Sequence, residues 1–113
     1  MNNINLRRLL LKFGISSNLQ GYHYILDCIN ILSNQQIHTN VSTLYEWISK
    51  KYGKNATAVE RAIRHAKNKA WEKGTLKIIY CILPDNADFL YDLYFNFDVL
   101  ENEMNKWLEK GEF

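Results

Sequence analysis

Apolar residues recur along this chain mostly three and four positions apart, and strict apolar–polar alternation is weak almost everywhere. Such spacing gathers side chains on one face of an α-helix, whereas alternation would line one face of a strand. The pattern predicts an all-α domain of about six helices, without internal repeats or a Gly/Ser linker. A first helix is expected from about Ile4 to Phe13, stopped by Gly14, which suits the left-handed residue just past a helix end. A second, from about Gln20 to Asn34, carries Tyr22, Ile25, Leu26, Ile29 and Leu32 on one side. A third begins near Ser42 or Thr43, where Thr43-Leu-Tyr-Glu46 fits a capping box, and ends at Gly53. A fourth begins at Thr57 with a second capping box, Thr57-Ala-Val-Glu60, and stops at Gly74. Residues Leu76 to Leu83 are short and apolar, and the strand-like run Ile78-Ile79-Tyr80 makes a helix there the weakest assignment. Pro84 then precedes a last helix, expected as one element from about Asn86 to Glu109.

Wound at ~100° per residue, residues 57–73 divide into two faces. Val59, Ala62, Ile63, Ala66 and Ala70 form an apolar, mostly small face that lets another helix approach closely. Opposite lie Thr57, Arg61, Arg64 and Asn68, with Glu60, His65 and Lys67 at the edges and Trp71 flanking the polar side. The plain reading is a solvated face knitted by pairs such as Glu60 with Arg64. The residues just before it favour more. Ser49 is followed four residues later by Gly53 and six beyond that by Val59. A small residue at a helix crossing, a glycine in the turn and a branched plug in the next helix make helix-turn-helix spacing. That arrangement projects the start of the second helix into a DNA major groove. Lys50, Lys51 and Lys54 beside the turn suit phosphates.

Charge sharpens this picture. Residues 1–74 carry eleven lysines and arginines against four acids, while residues 75–113 carry three against eight. A basic body with an acidic tail fits a polyanion-binding surface and a separate contact surface, although two solvated faces would look alike. With 113 residues, 47% of them hydrophobic, one domain spanning 1–113 is expected, residues 84–113 forming its extended acidic, aromatic end. No apolar run approaches the ~20 residues of a membrane span. The opening MNNINLRRLLLKFGI is interrupted by Lys12 and lacks a small-residue cleavage site, so an amphipathic helix and a cytoplasmic protein are expected. Cys28 and Cys81 are lone and read as buried apolar residues, and His23, His38 and His65 are scattered, so neither a metal nor a cofactor is expected. No nucleophile–base spacing or phosphate-cradling glycine loop suggests an enzyme.

The run Val59-Glu-Arg-Ala-Ile-Arg-His-Ala66, followed by Ala70-Trp71 and Gly74, closely resembles the C-terminal effector domain of the stage-zero sporulation master regulator. Gly21-Tyr22 with Tyr24, Leu44-Tyr45, Ile48-x-Lys50-Lys51 with Tyr52, and Pro84-x-Asn86-x-Asp88-Phe89-Leu90 extend the resemblance over about residues 4–95. It implies a six-helix DNA-binding domain whose recognition helix reads a short box with a TCG core. The residues matching its base readers are Glu60 and Arg61, with Arg64 a turn later. Arginine suits guanine, and a carboxylate suits the cytosine amino group. Backbone contacts are expected from Lys50, Lys51, Lys54, Thr57, His65 and Asn68.

Four features depart from that family. No receiver-like segment precedes the domain, so control by phosphorylation is not expected. Ala58 stands where the family usually has an arginine, and Leu83 runs straight into Pro84, shortening the connection before the last helix. That helix is also longer, more aromatic and more acidic. Its Phe89, Tyr91, Tyr94 and Phe95 are expected to form a partner surface for a homodimer, RNA polymerase or a full-length regulator. The expected function is sequence-specific regulation of transcription on double-stranded DNA. The alternative is an interaction protein that binds or antagonises a regulator or polymerase through this acidic helix.

Overall fold

The computed structural model describes residues 3–35 and 39–110, which leaves His38 outside the described residues. The described chain is helical and without strands: α1 (Asn3–Lys12), α2 (Gln20–Gln35), α3 (Val41–Tyr52), α4 (Ala56–Glu72), α5 (Asn86–Phe95) and α6 (Phe97–Glu109). None of these helices is long and apolar enough to cross a membrane.

Asparagines, not the two threonines, start α3 and α4. The Asn40 side chain accepts from the Thr43 amide at 2.9 Å, and that of Asn55 accepts from the Ala58 amide at 2.8 Å. Both helices therefore begin a residue or more ahead of the expected capping boxes, with Thr43 and Thr57 already inside the first turn. Asparagine is among the strongest N-caps because its short carbonyl reaches back to an unpaired N–H. Asp85 caps α5 in the same way, accepting from the Asp88 amide at 2.8 Å.

Two more boundaries differ from the sequence reading. Within the Leu76–Leu83 segment only Leu76–Ile78 is helical, as a single 3₁₀ turn. Leu76 is fully buried and the Thr75 hydroxyl donates to the Phe13 carbonyl at 2.6 Å, which pins this turn against the end of α1. Further on, Pro84 disfavours helical geometry at Leu83, the residue before it. The last helix is not one element but two, separated at Asn96 (φ −121°, ψ 28°). A straight helix over residues 86–109 would run roughly 36 Å. The break returns α6 to the body, where the Lys12 ammonium of α1 donates to the Asn105 side-chain oxygen at 2.8 Å.

α2 runs through the centre and packs on α1, α3, α4 and α5. Its Tyr24, Ile25, Cys28, Ile29 and Leu32 are at most 2% exposed. They meet Leu44 and Ile48 of α3, Val59, Ile63, Ala66 and Ala70 of α4, and Phe89, Leu90 and Leu93 of α5 in one shared cluster. Where α2 crosses α4, Gly21 faces Ala62 and Ala66. The small face of α4 thus serves the close helix approach its composition predicts. Of the two cysteines, Cys28 is buried and Cys81 is exposed, so only the first behaves as a core residue.

Candidate nucleic-acid interface

α3 and α4 meet through a tight turn. Gly53 takes the left-handed conformation (φ 66°, ψ 31°), and its N–H donates to the Ser49 carbonyl. An L-residue with a side chain resists that backbone region. Lys54 donates to the same carbonyl at 3.0 Å. Ser49 is buried and small, and its hydroxyl donates to the Glu46 carbonyl at 2.7 Å, so it adds no bulk where the helices converge. Val59 is fully buried one turn into α4. The α3–turn–α4 unit is then fixed from behind by α2, where Asp27 accepts from Tyr52 at 2.6 Å and pairs with Lys51 at 3.1 Å.

On the outer side of α4, Thr57, Arg61, Arg64 and His65 are exposed, as are Lys50, Lys51 and Lys54 around the turn. Glu60 is half-buried, and its carboxylate receives Arg64 at 2.9 Å. Lys51 lies against Asp27 and over the Tyr52 ring, 5.3 Å from its centre. Ala58 is half-buried and leaves the first turn of α4 without a long side chain. Ser42, Tyr45, Glu46, Ala56, Thr57 and Glu60 border an open recess of about 340 Å³ between the starts of α3 and α4.

Other residues lie deeper than the winding of the sequence placed them. Lys67 is not at the edge of the polar face but buried, 3% exposed, and desolvation lowers its pKa. Asn68 is half-buried, and its carbonyl oxygen is buried without a hydrogen-bond partner among the described residues. Trp71 packs against the core rather than standing on the polar side, with the Lys77 ammonium 5.3 Å from its ring centre.

Of the aromatic residues expected on a partner surface, Tyr91, Tyr94 and Phe95 stay together, the Tyr91 and Phe95 rings 6.2 Å apart, and Phe89 leaves them. Phe89 is fully buried, its ring 6.3 Å from that of Phe13, and it is removed from that surface. A helix this apolar must bury one side, and α5 buries the side bearing Phe89, Leu90 and Leu93. Tyr91 is half-buried and donates to the Thr39 carbonyl at 2.6 Å. Tyr94 is half-buried with its ring edge-on to Phe95, 4.7 Å away, and Phe95 itself is 57% exposed.

One residue had no site role in the sequence reading. Asn86, the first residue of α5, is 7% exposed, and its side-chain amide donates to the Tyr45 hydroxyl at 3.2 Å and to the Glu60 carbonyl at 3.1 Å. It joins α3, α4 and α5 directly behind the outer face of α4. Burial pushes the Tyr45 phenol up to about 12, with the Asn86 donation working against that shift. The sequence signals for this contact were the place of Asn86 in the Pro84-x-Asn86-x-Asp88 run and a polar residue opening an apolar helix.

A family model described as sporulation initiation factor Spo0A C terminal matches residues 6–88. The match takes in α1 from Leu6 onward and α2 to α4 whole and ends in the first turn of α5, so it includes the turn at Gly53, the outer face of α4 and Asn86. That family consists of DNA-binding regulatory domains and not of enzymes. With its helix-turn-helix wholly inside the matched span, this chain belongs to the Spo0A C-terminal family, the DNA-binding domain of sporulation regulators.

Proposed function

We propose that this protein regulates transcription by binding double-stranded DNA sequence-specifically, with α4 in the major groove. The observation that carries this reading is the outer face of α4. Arg61 stands exposed without an ion pair among the described residues, one turn before an Arg64 already held by Glu60. An unpaired guanidinium offers two parallel donors that match guanine O6 and N7. Glu60, steadied by Arg64, offers an acceptor to a cytosine amino group. The same pairing offsets the repulsion between the carboxylate and nearby phosphates. Ala58 presents only a methyl group, which suits the thymine methyl at a base edge. Lys50 and Lys54 hold no ion pair among the described residues and serve the backbone, joined by Thr57 and His65. Lys51 reaches a phosphate only by sharing its charge with Asp27. Buried Lys67 lies off this contact face, and Asn68, with its side-chain oxygen turned inward, meets a phosphate only through its amide nitrogen.

The test is selection from a random duplex library with the purified protein. One short enriched motif containing adjacent G·C pairs is expected. Recovery of duplexes with no common motif would overturn the reading.

A further inference from the structure

We infer that Asn86 is a positioning residue for DNA reading: it sets the seat of α4 against α3 and α5, and so the aim of Glu60 and Arg61. The inference rests on the DNA-binding reading and adds a residue that touches no DNA. Its geometry is specific. Both side-chain N–H groups of Asn86 are used, one on the Tyr45 hydroxyl and one on the Glu60 carbonyl. The opposite amide orientation would set its oxygen against the Glu60 carbonyl oxygen, two acceptors facing each other. The Asn86 oxygen is buried without a partner among the described residues. A buried acceptor left unmade costs stability, and an aliphatic side chain of similar size would avoid that cost. Stability alone therefore does not account for an amide here, whereas directional contacts to two other helices do.

The Glu60 carbonyl belongs to the residue whose carboxylate pairs with Arg64 and whose neighbour is Arg61. A donor fixed to that carbonyl limits rotation and sliding of α4 at the position where bases are read. Base contacts tolerate little misplacement, because a hydrogen bond weakens steeply as its angle opens. Burial lowers the pKa of Lys67 on α4, and the charge of Asp85, the cap of α5, works against that shift. Through these contacts the start of α5 acts as a backstop for the reading helix.

The experiment compares Asn86→Leu and Asn86→Asp with wild type and with Tyr80→Phe. Tyr80→Phe removes a different anchor of α5, the Tyr80 hydroxyl on the Asp92 carboxylate. Binding is measured to the duplex enriched by wild-type protein and to a scrambled duplex, below each variant's thermal midpoint. Asn86→Leu is expected to stay folded and to lose on the order of tenfold in the enriched-to-scrambled ratio, the worth of about one bidentate base contact. Asn86→Asp keeps the shape, sets an oxygen against the Glu60 carbonyl, and is expected to lose the ratio in the same way. Tyr80→Phe is expected to keep the ratio whatever its midpoint. Wild-type discrimination retained by either folded Asn86 variant overturns the inference and leaves the DNA reading intact. An equal loss of the ratio in Tyr80→Phe also overturns it, since α5 would then act only through stability. A wild-type protein that prefers no duplex overturns both.

Discussion

Replacing Gly21 by alanine adds a methyl group where α2 and α4 come closest. The glycine has an ordinary helical backbone, so its reason for being there is space. A Cβ at this position would lie 2.2 Å from the Ala62 carbonyl oxygen, 2.8 Å from the Ala66 Cβ and 2.9 Å from the Ala62 carbonyl carbon. Carbon contacts settle at about 3.5–4.0 Å, so α4 must withdraw by roughly 1 Å. The nearest obstacle is backbone, which no rotamer change can clear. Overpacking of this kind costs about 1–3 kcal/mol, against which alanine recovers at most ~1 kcal/mol of helix propensity. A net loss of about 1–2 kcal/mol is expected, a fall of roughly 4–8 °C in Tm for a chain this size. Circular dichroism melting measures it, and duplex affinity of the still-folded variant at low temperature should fall because α4 has moved. An alanine variant as stable as wild type, or more stable, would refute the close approach and the seat of α4 built on it.

Three further outcomes follow from the same geometry. Asn55→Ala removes the cap of α4 and should lower stability by about 1 kcal/mol in urea unfolding, whereas Thr57→Ala should cost clearly less. Gly53→Ala should cost about 1–2 kcal/mol, purely as backbone strain, because a Cβ there meets nothing within 4 Å. In alkali, Tyr45 and Tyr52 are each pushed up to about 12 and Tyr80 is also raised, by burial for Tyr45 and Tyr80 and by the bond to Asp27 for Tyr52. Their folded pKa values lie above the ordinary 10.0, so the stability they contribute is complete below pH 10 and lost as pH rises from there toward 12. Lys67 acts oppositely, relieving strain as pH climbs through its lowered pKa toward 10.5, but it is one group against five, since burial also raises Tyr91 and Cys28. Unfolding should therefore become easier above pH ~10, with late tyrosinate absorbance appearing together with loss of helix.

The parts of this fold that were legible in the sequence are local ones. Helical spacing marks the four helices up to Gly74, and Ser49, Gly53 and Val59 lie within eleven residues of one another, so their spacing is visible without a fold. The break at Asn96 was invisible because helical periodicity runs through it. The caps were misplaced because Thr43 and Thr57 match a pattern that Asn40 and Asn55 satisfy sooner. Periodicity also says that a face is apolar without saying what covers it, which is why Phe89 was expected outside and Lys67 at an edge. Asn86 was illegible for a further reason: its two acceptors lie 41 and 26 residues away, and only the packed helices bring them together.

The most direct test sets Arg61→Ala beside Lys54→Ala on the enriched duplex and a scrambled one, over a range of salt concentrations. A base reader and a phosphate holder fail differently. Arg61→Ala should lose about 1–3 kcal/mol on the enriched duplex only and relax preference at one position. Lys54→Ala should weaken both duplexes alike and flatten the slope of log affinity against log salt by about one. Folded Arg61→Ala and Arg64→Ala proteins that both keep wild-type affinity and preference would contradict the account, and the outer face of α4 would then be a solvated surface.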